Sequence, residues 1–182
     1  MHCSPRLAKT CFALLAITLL PLLAAQGQQG PQDLHPYFSP NGGCTRAVVD
    51  ALGGARKSVL VQAYSFTSSP IARALVDARR RGVDVQVILD KSNRRDRYTA
   101  ATFLANEGVP TYIDPVYAIA HNKVMIIDGR TVITGSFNFT KAAETSNAEN
   151  LLVIENAPEL AARYTANWRE HLKRSEPYQP PS

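Results

Sequence analysis

The sequence predicts one α/β domain at residues 35–175, built on a mixed β-sheet flanked by helices on both sides. Three observations carry this. The runs SVLVQAY and VDVQVILD are rich in β-branched residues and sit on either side of a helix-patterned stretch, the order of a right-handed crossover between parallel strands. The runs KVMII and TVITG flank Asp128-Gly129, a pair that accepts the positive dihedrals of a tight hairpin and so sets two strands antiparallel. With 45% apolar and 19% charged residues in 182, the chain has a globular composition and the length to fill one core.

Residues 1–25 read as a secretory signal peptide, because Arg6 and Lys9 precede an apolar stretch from Cys11 to about Ala25 and small residues follow. An uncleaved anchor is the alternative. Pro21 argues against it by interrupting a run already short of the roughly 20 residues a spanning helix needs. Export places the mature protein in the periplasm or outside the cell. Cleavage leaves Cys44 as a single thiol, which is either buried or engaged in an intersubunit disulfide. It also takes the 20 basic residues to 18 against 15 acidic ones, a formal charge of +3. That balance permits a polyanionic partner without requiring one.

Residues 26–34, rich in Gln, Gly and Pro, read as a linker into a first short strand at 35–38. In NGGCTRAVVDALGGARK, the residues Cys44, Ala47, Val48 and Ala51 keep helical spacing until Gly53 and Gly54 stop the pattern, so Cys44 should face the core. The strand SVLVQAY follows. The stretch SSPIARALVDARRRG reads as a helix, with Ser69 as cap, Pro70 in the first turn, Ile71, Ala74, Leu75 and Ala78 on one face, and Gly82 at its end. After VDVQVILD, a helix is expected from about Asp96 to Asn106, closed by Gly108, and then a strand near Val109 to Ile113. Beyond the hairpin come a short helix over Thr140 to Thr145, the strand NLLVI, and a closing helix with Leu160, Tyr164, Trp168 and Leu172 along one face. His171 is read as a surface residue near the C-terminus of that helix. Residues 176–182, with their prolines, read as a loose tail.

The chemistry is concentrated in AHNKVMIIDGRTVITGSFNFTKAAETSNAEN. His121 and Lys123 are two apart at the start of a strand, where the period of two points both side chains to one face. Ser136 and Asn138 repeat that spacing after the partner strand. A hairpin centred on Asp128-Gly129 brings the two ends together, so four side chains converge on a volume suited to a phosphate. Histidine serves as nucleophile or proton donor near neutral pH, while Lys, Ser and Asn hold non-bridging phosphate oxygens. Each residue alone has an ordinary reading as a surface charge, a solvated imidazole or a turn residue. The fixed spacing of the set is what those readings do not explain.

The pattern His121-x-Lys123, four residues, Asp128, six residues, Gly135-Ser136 and then Asn138 resembles the signature motif of the phospholipase D superfamily. The segments AYSFTSSPIARALVDARRRGVDVQVILD and GSFNFTKAAETSNAENLLVI are similar to the small bacterial endonucleases of that superfamily, and the resemblance covers nearly the whole mature chain. It implies that His121 is the nucleophile that forms a phosphohistidine, that Lys123, Ser136 and Asn138 bind the phosphate, and that Glu149 orients His121. Asp128 is implied to be structural or to lie behind the site, in agreement with its reading as a hairpin residue. A carboxylate on one imidazole nitrogen would fix the tautomer that frees the other to attack.

One motif supplies one histidine, whereas the reaction needs a neutral imidazole to attack phosphorus and a protonated one to serve the leaving oxygen. His35 and His171 lie outside any matching set. A two-fold homodimer that shares one site between two motifs meets the need. No HxH, CxxC or carboxylate cluster accompanies His121, so hydrolysis is expected without a metal or other cofactor. Lys91, Arg94, Arg95 and Arg97 follow the end of VDVQVILD, where they either contact a phosphate backbone or form a solvated loop.

The expected function is non-specific endonucleolytic cleavage of DNA, with RNA as a further candidate substrate. Hydrolysis of phospholipid head groups competes with it through the same phosphate chemistry, although nothing beyond the signal peptide resembles an interfacial amphipathic helix. Binding of nucleic acid without catalysis is the third reading, and the complete motif argues against it. No stable membrane association is expected after signal cleavage.

Overall fold

A computed structural model describes residues 32–94 and 99–180. The expected signal peptide at 1–25, most of the expected linker, Arg95, Arg97, the expected helix start at Asp96 and residues 181–182 lie outside the described residues. The elements are β1 (Asp33–Ser39), α1 (Cys44–Gly54), β2 (Ser58–Ala63), α2 (Ser69–Arg80), β3 (Asp84–Asp90), a 3-10 turn (Lys91–Arg94), α3 (Ala100–Asn106) and β4 (Thr111–Asp114). They continue with β5 (Lys123–Ile127), β6 (Thr131–Gly135), α4 (Lys141–Thr145), β7 (Glu149–Glu155), α5 (Pro158–Leu172) and β8 (Glu176–Pro177).

All eight strands form one mixed sheet in the order β1-β7-β6-β5-β2-β3-β4-β8. β2, β3 and β4 are parallel, as helical crossovers require. The other pairs are antiparallel. Asp128 and Gly129 take φ of 55° and 64°, the left-handed dihedrals that the tight β5–β6 turn needs.

The two-residue period of the strands divides the core between the faces. Val61, Val87, Met125 and Ile133 pack with Val48 of α1 and Leu75 of α2, while Ile88, Val124, Ile126 and Ile154 pack with Ala161 and Trp168 of α5. Trp168 Nε1 also donates to Val61 O at 2.8 Å, tying α5 to the centre of the sheet. The segment KVMII is apolar throughout because β5 is covered on both faces. Cys44 is fully buried, and burial, with a smaller contribution from the Glu144 charge, pushes its thiol up to about 11. Of the two readings of Cys44, the geometry fits the buried thiol.

Three expectations need correction. β1 begins at Asp33, inside the expected linker, because its pairing with β7 extends to Asp33 opposite Glu155. Residues 176–180 are not a loose tail. Glu176 and Pro177 pair with Ile113 and Tyr112 of β4, an edge position that tolerates a proline without an N–H. The buried Tyr178 then anchors the end through its hydroxyl, 2.8 Å from Thr102 Oγ1. His171 is 8% exposed rather than a surface residue, because the buried stripe of α5 runs through Ala161, Trp168 and His171. Its Nδ1 lies 2.6 Å from the fully buried Asp114 Oδ2.

The strand directions gather the C-terminal ends of β1, β2, β3, β4 and β6 on one edge of the sheet, together with the N-terminal ends of β5 and β7. That edge carries His121, Lys123, Ser136, Asn138 and Glu149, together with Lys91 and Arg94, whereas Asp128 lies at the opposite one.

Candidate active site

The segment between β4 and β5 crosses this edge past the ends of β3 and β2. Asp90, 2% exposed at the end of β3, accepts the Ala120 N–H at 2.7 Å. Asn122 O accepts the Tyr64 N–H at 2.9 Å. These two bonds bracket His121 and deliver it, exposed, to the start of β5.

Lys123 is 6% exposed and turns its ammonium back toward the histidine, donating to His121 O at 2.7 Å and to His121 Nδ1 at 2.9 Å. The Tyr64 ring lies against both, with its centroid 4.6 Å from the imidazole and 5.3 Å from Lys123 Nζ. Burial pulls the Lys123 pKa below its ordinary 10.5, and the Glu149 charge opposes that fall. A buried ammonium supported by a carboxylate that it does not touch is short of negative charge, so a phosphate oxygen fits beside it.

Ser136 and Glu149 meet one strand pair away. The Ser136 hydroxyl donates to Glu149 Oε2 at 2.6 Å and accepts the Asn150 N–H at 3.0 Å. Asn147 Nδ2 donates to Glu149 Oε1 at 3.0 Å. Glu149, expected to orient His121, therefore holds Ser136 within the subunit, while Nδ1 of His121 is taken by Lys123. The register explains the difference, because Gly135 pairs with Leu151 and so brings the start of β7 beside Ser136, whereas His121 enters on β5 beyond β6.

Gly135 makes that arrangement accessible. Its φ is 145°, and a Cβ there would stand 2.3 Å from Asn150 O. The next two N–H groups, of Ser136 and Phe137, both donate to that same oxygen at 3.1 Å. Asn138 follows with its Oδ1 buried and unpartnered among the described residues, the kind of unsatisfied group that calls for a functional explanation.

Asp128 sits at the opposite end of β5, where its carboxylate accepts the N–H groups of Arg56, Lys57 and Ser58 at 2.9, 2.7 and 3.0 Å. Burial pushes its pKa up, but these bonds and the Lys57 charge outweigh that and hold it below its ordinary value. The two described members of the basic loop also have structural partners. Lys91 donates to Tyr117 O at 2.8 Å, and Arg94 pairs with Glu176.

Sequence reasoning gave no role to Tyr64, Asp90 or Asn93. Asn93, 3% exposed, donates to Tyr64 O at 2.6 Å and to Asp90 O at 3.1 Å, joining the supports of the histidine to each other. A signal was present in Tyr64 and Asp90, since each closes an apolar parallel strand at its C-terminal end, where sites in α/β sheets collect.

An exposed imidazole backed by a buried ammonium, with a serine hydroxyl and an asparagine amide on the neighbouring strand end, supplies the groups that phosphoryl transfer through histidine requires. The fold and site together define a phosphodiesterase of the phospholipase D type. Residues 48–172 match the family described as cardiolipin synthase, PLD-like domain, and the chain belongs to the phospholipase D superfamily. A phospholipase D of Rickettsia bellii is 46% identical over 138 residues, which span 76% of this chain and 68% of that protein. Nuc from Salmonella typhimurium, a phospholipase D family member, matches with a TM-score of 0.79 at 40% identity, covering 82% of this chain and 99% of that chain. NucT from Helicobacter pylori matches with a TM-score of 0.75 at 25% identity, covering 81% of this chain and 100% of that chain.

Proposed function

We propose that this protein is an exported, metal-independent endonuclease that cleaves DNA, and RNA as a further substrate, at a site shared by two subunits. The observation that carries the reading is the pairing of exposed His121 with buried Lys123 as a single motif per chain. The other described histidines do not supply a second catalytic imidazole, since His171 is bonded to Asp114 and His35 lies near Glu155 at 3.9 Å, toward the opposite edge. Phe38, Val116 and Ile119, each more than half exposed, stand on the same sheet edge as His121 and offer an apolar surface for a second copy. The similarity to Nuc and NucT across almost the whole of those chains supports nucleic acid as substrate. Export rests on residues 1–25.

In this mechanism a nitrogen of His121 attacks phosphorus, and a P–N bond forms as the P–O bond to the leaving group breaks. The second subunit's imidazolium gives that oxygen its proton. The imidazole so formed then takes a proton from water, whose oxygen attacks phosphorus and breaks the P–N bond, leaving a phosphate monoester and free His121. Lys123, Ser136 and Asn138 hold the non-bridging oxygens throughout.

The similarity to a Rickettsia phospholipase D supports the second reading, hydrolysis of phospholipid head groups. Purified mature protein incubated in chelator with plasmid DNA, RNA and labelled phospholipid separates the two. Nucleic-acid cleavage is expected, whereas phospholipid turnover with intact DNA and RNA establishes the second reading instead. Activity lost in chelator and restored by magnesium removes metal independence. Equal amounts of wild type and His121→Asn, refolded together, test the shared site. Mixed dimers are then inactive and activity falls to about a quarter, whereas self-sufficient subunits retain about half.

A further inference from the structure

A cavity of about 220 Å³ opens between the N-terminal ends of α2 and α3, and the mechanism above makes no use of it. It adjoins the phosphate site. The chain runs from Tyr64, against the His121 ring, to Thr67 in three residues, a span of at most about 11 Å. The N–H groups of Thr67 and Ser68 both donate to Phe139 O, at 3.0 and 2.9 Å, directly after Asn138.

Its lining combines two chemistries. Thr67, Ser68, Ser69 and Thr99 bring hydroxyls, and Arg73 a guanidinium. Ser68 is 4% exposed and stands at the N-cap of α2, yet its hydroxyl makes no capping bond and has no partner among the described residues. α2 runs twelve residues with no acidic side chain in its first turn, so the partial positive charge of its N-terminus is uncompensated by its own helix. Arg73, exposed one turn into α2, forms no ion pair among the described residues. Phe103, 40% exposed on α3, adds an aromatic ring to these groups.

Hydroxyls, a guanidinium and a helix N-terminus suit a phosphate, and an exposed aromatic beside them suits the face of an unpaired base. We propose that this cavity is a nucleotide subsite, which holds a phosphate flanking the scissile one and stacks its base on Phe103, so that the preferred substrate is a single strand. The inference rests on the nuclease reading and sharpens it, because a paired base does not present its face to a side chain.

The test compares the wild-type dimer with Arg73→Ala and Phe103→Ala on three substrates: a single-stranded oligonucleotide, its duplex, and bis(p-nitrophenyl) phosphate, a phosphodiester with no flanking nucleotide. Each variant should raise KM for the single strand about tenfold and leave hydrolysis of the small diester unchanged, which also reports intact folding. Phe103→Ala should in addition erode the preference of the wild type for single strand over duplex. Arg73→Ala should reduce the slope of log affinity against log salt by about 0.7. Unchanged single-strand KM in both variants overturns the subsite while the nuclease reading stands, as does an equal loss on the small diester. Hydrolysis of the small diester with no cleavage of either oligonucleotide by the wild type overturns the nuclease reading, and the subsite with it.

Discussion

Asp128 separates the architectural from the chemical part of the signature motif, and replacing it tests that division. Its carboxylate accepts three consecutive backbone N–H groups from Arg56 to Ser58, fastening the β5–β6 turn to the start of β2. Hydrogen bonds to a charged acceptor contribute about 1.5–3 kcal/mol each when buried. These are exposed or part-buried, so water recovers much of the loss. Asp128→Asn keeps one acceptor oxygen and tolerates the φ of 55°, and should cost ~2 kcal/mol. Asp128→Ala adds the strain of a left-handed alanine and should cost ~3–4 kcal/mol. For a domain of this size those losses lower Tm by about 5–12 °C.

The turnover number should respond differently. β5 places about 16 Å, five residues at strand rise, between Asp128 and the histidine end, so kcat of the folded Asp128→Asn protein at 25 °C should stay within about twofold of wild type. Urea unfolding gives the stability and plasmid nicking the rate. The pH dependence adds a signed check. Because the folded carboxyl lies below its ordinary 3.8, its contribution is fully present above that value and is lost as the pH falls from there through the lower folded value. The wild type should lose its advantage over Asp128→Asn in that acid window. A hundredfold fall in kcat with an unchanged Tm would refute the assignment and move Asp128 into the chemistry.

Two further outcomes follow from the site. Gly135→Ala must fit a Cβ 2.3 Å from Asn150 O at a φ of 145°, so it should destabilise the fold by about 2–3 kcal/mol and weaken substrate binding by displacing Ser136, as read by urea melts and KM. Lys123, lowered by burial, must be protonated to hold a phosphate oxygen, so the alkaline limb of kcat/KM should fall below pH 10.5. Lys123→Arg should shift that limb upward even where the rate drops, because guanidinium keeps its charge. An alkaline limb that stays put in Lys123→Arg would assign it to another group.

Local rules made most of the sheet legible. The Asp-Gly hairpin, the β2–α2–β3 crossover and the Cys44-facing helix each rest on a few neighbouring residues, and each occurs as expected. Long-range capping did not show in the same way. The first N–H groups of α1 carry no local cap, and Glu144 from α4 accepts the Gly43 and Thr45 N–H groups at 3.1 and 2.6 Å. His171 escaped for a related reason. Its burial depends on Asp114, which closes a strand 57 residues earlier, and a helical wheel drawn on α5 alone cannot supply that partner.

For the candidate site, the gathering of its residues on one edge was legible, and their connections were less so. Period-two spacing and the hairpin put His121, Lys123, Ser136 and Asn138 on one edge, but which side chain touches which depends on register between strands distant in sequence. The β6–β7 register gives Ser136 to Glu149, and the return of Lys123 onto Nδ1 gives His121 an ammonium rather than a carboxylate. That exchange has a consequence for the chemistry. An ammonium donating to Nδ1 requires the lone pair there, so in this arrangement a neutral ring carries its proton on Nε2. Under the proposed mechanism, a phosphodiester that draws the ammonium onto its own oxygen would release Nδ1 and permit the other tautomer. That mechanism then couples substrate binding to activation of the histidine through Lys123, and predicts that loss of Lys123 lowers kcat as well as raising KM.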